Sequence, residues 1–190
     1  MSVSDVFARI KSALDSAGVS YMLSGSFASA SHGVPRSTQD IDFVIAATPS
    51  QLRALIQELP SDQYYVELDA ALEAHKRQSM FNVIDLATGW KIDFIIRKSR
   101  AFSEEEFRRR RPVDLEGSSL FVATAEDVVI AKLEWSKLAQ SQRQIEDVAA
   151  ILRVRGDSLD RGYLEKWIAE LGLKREWDDA RLAAGLADPM

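Results

Sequence analysis

A chain of 190 residues has the length of one ordinary domain with room for a helical extension, and 46% apolar against 28% charged residues marks it as folded rather than disordered. It contains no cysteine, which excludes disulfides, thiolate zinc sites, iron–sulfur clusters and a cysteine nucleophile, and its two histidines, His32 and His75, leave little for an imidazole metal cage or a histidine-dependent triad. The net charge of −5 argues against wholesale coating of nucleic acid, and any metal chemistry must rest on carboxylates, which suit hard cations such as Mg²⁺ or Mn²⁺.

Val3, Val6, Phe7, Ile10 and Leu14 recur at helical spacing and predict a first helix over 4–17, closed by Gly18 and followed by a buried strand over 19–23. Ser24-Gly25-Ser26 leads into a small-residue stretch, 27–31, long enough for one or two helical turns before Gly33 and Pro35 break it; His32 reads as an incidental loop residue. A second strand spans 40–47, entered through two acids, and Pro49 opens a helix carrying Leu52, Leu55, Ile56 and Leu59. The pattern then predicts a strand over 64–68, a helix over 69–77, and strands over 81–86 and 90–96 flanking Thr88-Gly89 as in a hairpin. Weaker strands are expected over 113–115 and 119–122. From Thr124 onward the chain reads as helical: a helix capped by Thr124 with Asp127 and running to about 139, another over about 141–154, and two more broken near Gly156 and Gly172. The expected class is α+β, a mixed β-sheet flanked by helices over residues 1–123 and a helical C-terminal part over 124–190 packed on it. The N-terminus has no signal-peptide apolar stretch and no run approaches the roughly 20 residues of a membrane span, so a cytoplasmic protein is expected, with no membrane partner.

The chemistry concentrates in three acids. Residues i and i+2 of a strand share a face, so Asp40 and Asp42 present two carboxylates side by side, and a divalent cation would relieve their repulsion. Asp93, in Lys91-Ile92-Asp93-Phe94-Ile95-Ile96, sits inside an apolar strand, where aspartate is depleted. If that strand lies beside the 40–47 strand, three carboxylates converge on one edge of the sheet. Upstream, Gly25 allows backbone amides to approach a phosphate and the Ser26 hydroxyl adds a donor. Taken singly, an acid at a strand start can be a turn residue or cap; the combination favours a site.

This constellation resembles the nucleotidyltransferase superfamily of polymerase-β-like minimal nucleotidyltransferases, whose signature is a Gly-Ser pair after a strand, an Asp-x-Asp, and a third strand-borne acid. Arg36-x-Thr38-x-Asp40-Ile41-Asp42-Phe43, Lys91-Ile92-Asp93-Phe94-Ile95, the Glu126–Leu133 segment with Lys132, and Arg143-Gln144-Ile145-Glu146-Asp147 are similar to the AbiEii-like toxin nucleotidyltransferases of type IV toxin–antitoxin systems. Relatives often have Lys-Asp where this chain has Glu146-Asp147. The resemblance implies a nucleotidyltransferase-type sheet and a metal-dependent enzyme that moves a nucleoside monophosphate from an NTP to a hydroxyl acceptor and releases pyrophosphate. It also implies that the acceptor is tRNA or another cellular molecule, and that a cognate antitoxin protein is a partner.

On that reading Asp40, Asp42 and Asp93 are the catalytic and metal-binding residues: two Mg²⁺ (or Mn²⁺) ions bridge Asp40, Asp42 and the phosphates, and Asp93 shares the ion nearest the acceptor hydroxyl and helps take its proton. Gly25, Ser26, Arg36 and Lys132 hold the nucleotide, and Asp147 either orients Lys132 or Arg143 towards it or simply pairs with Arg143 one helical turn away. Residues 97–111 hold seven cations against three glutamates, which reads either as a solvated face or as a surface for an RNA phosphate backbone. Two rival readings are an antibiotic-modifying nucleotidyltransferase and a catalytically silent nucleotide- or protein-binding module.

Overall fold

The computed structural model describes residues 2–33, 35, 37–115 and 117–186. The chain divides into two compact units, one of residues 1–26 and 37–123, the other of residues 27–36 and 124–190.

The first unit is built on a seven-stranded mixed sheet. Its strands are β1 (Ser20–Leu23), β2 (Asp40–Ala46), β3 (Tyr64–Tyr65), β4 (Met80–Asp85), β5 (Lys91–Ile96), β6 (Arg111–Leu115) and β7 (Ser118–Val122), in the spatial order β3-β4-β5-β2-β1-β7-β6. The β2–β5 and β1–β7 pairs are parallel and the other neighbours antiparallel. Helices α1 (Val3–Ser16), α3 (Pro49–Gln57), α4 (Leu68–Arg77) and α5 (Ala101–Arg109) accompany it. Two of these helices start on reciprocal caps, Ser2 with Asp5 and Thr48 with Gln51, in which each side chain satisfies the other's backbone amide. Strands β2 and β5 are apolar on alternate positions that point away from the acids: Ile41, Phe43, Ile45, Ile92 and Phe94 have no exposed surface, and the Phe43 and Phe94 rings stack at 6.0 Å.

The buried Asp85 ties the outer strands down: it forms an ion pair with Arg9 of α1, and its Oδ1 accepts the amides of Ala87 and Thr88 at 3.1 and 3.0 Å. The β4–β5 connection is therefore a five-residue loop organised by Asp85 rather than a two-residue turn at Thr88-Gly89. The expected 64–68 strand shortens to Tyr64–Tyr65, because α4 already begins at Leu68. Helix α5, which the apolar periodicity did not announce, buries only Phe102, Ser103, Glu106 and Phe107.

The second unit holds most of α2 (Gly25–His32), which starts in the first unit, together with α6 (Ala125–Ala139), α7 (Gln142–Arg155), α8 (Arg161–Leu171) and α9 (Lys174–Ala184). Thr124 caps α6, accepting the Asp127 amide, and the fully buried Asp127 carboxylate accepts hydrogen bonds from the Thr124 hydroxyl at 2.6 Å and the Tyr163 hydroxyl at 2.5 Å. Lys137 donates to the last carbonyls of α8, Leu171 and Gly172, at 3.1 and 3.0 Å. His32 is the last residue of α2 rather than a loop residue, and the helix ends at Gly33, where a Cβ would stand 3.2 Å from Ile151. Among the described residues no helix is long and apolar enough to cross a membrane.

Candidate active site

Parallel pairing of β2 with β5 sets Asp40 opposite Lys91 and Asp42 opposite Asp93. Antiparallel pairing of β4 with β5 then sets Asn82 opposite Asp93. Because strand side chains alternate with period two, Asp40, Asp42, Lys91, Asp93 and Asn82 all stand on one face, in two adjacent rows. The condition attached to the sequence pattern, that the Asp93 strand lie beside the Asp40–Asp42 strand, is thus met.

The three acids differ in surroundings. Asp40 is exposed, Asp42 half-buried, and Asp93 only 5% exposed. Asn82 Nδ2 donates to Asp93 Oδ1, and the Lys91 ammonium lies 2.8 Å from Asp93 Oδ2 and 4.0 Å from Asp40 Oδ1. The hydrogen bond to Asp93, reinforced by the charges of Asp93, Asp40 and Asp42, holds Lys91 above the ordinary lysine range, so it is cationic at neutral pH. Neither Asn82 nor Lys91 carried a role in the sequence reading. For Lys91 only the shared strand face was legible, from Lys91-x-Asp93, and its place between Asp93 and Asp40 required the β2–β5 register; for Asn82 it required the β4–β5 register.

Gly25 closes the other side. It follows β1, whose next residue, Ser24, donates its amide to the Asp42 carbonyl at 2.8 Å. Gly25 has φ +60°, and a Cβ there would lie 1.9 Å from Asp42 Oδ2 and 2.5 Å from its Cγ. Both backbone conformation and space therefore demand glycine. Helix α2 starts at Gly25, so Gly25 and Ser26 belong to a helix N-terminus, whose first amides have no intrahelical acceptor and favour anions. Replacing Gly25 by alanine is expected to push the Asp42 carboxylate out of place. Turnover should fall about 100-fold and stability by about 1–3 kcal/mol, read by a transfer assay and denaturant melts.

The donors suit a hard cation, being carboxylate oxygens only. Among the described residues no three acidic or histidine side chains close around a common point to enclose a metal ion. Asp40 and Asp42 nevertheless fit Mg²⁺ or Mn²⁺, because such ions are held by one or two carboxylates together with substrate phosphates, and the missing Cβ of Gly25 leaves the Asp42 carboxylate its room.

Arg36 falls outside the described residues. Lys132 and Asp147 belong to the helical unit, where the Lys132 ammonium donates to Asp147 Oδ2 at 2.7 Å and to Gln144 Oε1 at 3.1 Å, both charges being buried. Asp147 is thus bound to Lys132 across two helices; the intrahelical Arg143 partnership is not the one formed. In the 97–111 stretch, Arg97 lies over Phe107, Arg100 over Phe102, Arg110 over Phe107 and Phe121, and Arg108 pairs with Glu105. Desolvation in that aromatic setting lowers the proton affinity of Arg110.

Solved structures of nucleotidyltransferases share this mixed-sheet fold. The antibiotic-resistance factor ANT(2'')-Ia, in complex with adenylyl-2''-tobramycin, superposes with a TM-score of 0.59 at 12% identity, covering 93% of this chain and 99% of that one. Its solution structure gives 0.57 at 16% identity, over 90% and 91%. An antigenic nucleotidyltransferase-like protein from Paracoccidioides brasiliensis gives 0.54 at 15% identity, over 95% and 92%. No curated protein matches the chain in sequence. The family described as nucleotidyltransferases of unknown function (DUF6036) matches residues 3–183, and the chain belongs to it.

Proposed function

We propose that the chain transfers a nucleoside monophosphate from an NTP to a hydroxyl acceptor at Asp40, Asp42 and Asp93. The observation that carries this reading is the register of β2 on β5, which sets Asp42 against Asp93, with Gly25 pressed against Asp42 from the third side. Asp40 and Asp42 hold the divalent cation, Mg²⁺ or Mn²⁺. When bound, that ion neutralises phosphate charge and draws electron density from the α-phosphorus. Gly25 and Ser26 offer amides and a hydroxyl to the triphosphate oxygens. The acceptor oxygen forms its bond to the α-phosphorus as the bond to the bridging oxygen of the β-phosphate breaks; pyrophosphate leaves, and the hydroxyl proton passes to Asp93.

For the acceptor, the engagement of Arg97, Arg100, Arg108 and Arg110 with their own neighbours supports a compact polyhydroxylated molecule over an RNA backbone. ANT(2'')-Ia, whose structure holds adenylyl-2''-tobramycin, offers a precedent on the same fold. A second reading, a toxin-type enzyme acting on tRNA and restrained by an antitoxin, draws on the motif resemblance and on the intact Lys132–Asp147 pair.

Incubation with each labelled NTP and Mg²⁺, against total tRNA and against aminoglycosides, tests both. Label in the small-molecule pool is expected. Label in tRNA would favour the toxin-type reading, and no transfer from any NTP to either pool or to cell lysate would overturn the proposal.

A further inference from the structure

The acid cluster contains a cation of its own. Lys91 is the register partner of Asp40 and lies two residues before Asp93, so its side chain rises on the same face between the two, 2.8 Å from Asp93 Oδ2 and 4.0 Å from Asp40 Oδ1. Asn82 takes the other oxygen of Asp93. Both oxygens of the most buried of the three acids are therefore engaged by side chains of the sheet itself.

We infer that Lys91 fills, as a fixed ammonium, the place at Asp93 that a second divalent ion would need, so that the protein takes one such ion, at Asp40 and Asp42, and not two. The inference rests on the metal-dependent reading proposed above. A second divalent ion at Asp93 would have to expel Lys91 or stand a few ångströms from it, a repulsion that a half-buried site screens poorly. Lys91 is then a positioning residue: it keeps Asp93 fixed beside Asp42 and excludes an ion there.

Titration of the full-length protein with Mn²⁺, counting bound ions by the loss of the free-ion electron paramagnetic resonance signal, tests this. Wild type should bind one Mn²⁺ per chain, and Lys91→Met two. Lys91→Arg, which keeps the charge, should remain at one. Without metal, Lys91→Met should melt below wild type because Asp93 loses its ammonium, and Mn²⁺ should raise its melting temperature by more than it raises that of wild type. Should Lys91→Met fold poorly, Lys91→Gln serves in its place, with the same expected gain of one ion. Two ions in wild type, or no gain in Lys91→Met and Lys91→Gln, would overturn the inference and leave the metal reading standing. Absence of Mn²⁺ binding in every protein would overturn both.

Discussion

Replacing Asp42 by asparagine should lower nucleotidyl transfer about 1000-fold, on the order of 4 kcal/mol of transition-state stabilisation, while the protein folds as before. Asparagine keeps the shape that fits against Gly25, and the β1–β2 contact at this position is made by the Asp42 carbonyl, which the substitution leaves in place. One of three neighbouring negative charges disappears, so repulsion within the cluster falls and the metal-free protein should be no less stable than wild type. What is lost is an anionic donor to the cation and, with it, the placing of the triphosphate. A matched control lies in the same sheet. Asp85 is also a buried carboxylate, but its charge is spent on Arg9 and the loop amides of Ala87 and Thr88; Asp85→Asn should destabilise the fold and leave turnover per folded molecule unchanged. Steady-state transfer rates beside denaturant melts of the two variants separate the cases. Full activity in Asp42→Asn would remove that residue from the site.

Most of what makes this cluster recognisable was legible in the chain. The Asp-x-Asp spacing, an aspartate within an apolar strand, and a Gly-Ser pair after another strand are local patterns, and the period of two assigns each side chain to a face without any knowledge of pairing. The two parts that sequence left open depend on non-local register. Nothing in Met80–Asp85 says that Asn82 will stand opposite Asp93, and the motif around Lys91 does not say whether its ammonium points to Asp93 or to solvent until β2 supplies Asp40 on the other side. The helix Ala101–Arg109 was obscured for a related reason: its middle and last turns, from Glu104 to Arg109, are rich in charge, and only four of its residues are buried, too few for a clear apolar stripe. Charge counting left the arginines around it as either a solvated face or a surface for phosphates; the cation–π contacts of Arg110 with Phe107 and Phe121 join residues of different elements, which it cannot see. The start of α2 at Gly25 was concealed by the positive φ of that glycine, which reads in sequence as a loop.

The largest expected change in stability belongs to the helical unit. Lys132→Met should destabilise the protein by about 3–5 kcal/mol, because Asp147 would be left as a buried charge with Gln144 no longer tied to the ammonium. At roughly 2–4 °C per kcal/mol for a chain of this size, the melting temperature should fall by about 10 °C. The cost lies in keeping the carboxylate buried without its ammonium rather than in the lost attraction, so the pair as a whole should be dispensable to folding. Lys132→Met combined with Asp147→Leu removes both charges and should recover most of the loss, since an apolar replacement of a buried ion pair is commonly neutral or stabilising. That folded double variant then isolates chemistry from stability. If Lys132 serves the nucleotide, as its motif implies, the double variant should melt near wild type yet show a KM for NTP raised about tenfold or more; a normal KM would make the Lys132–Asp147 pair a purely structural one.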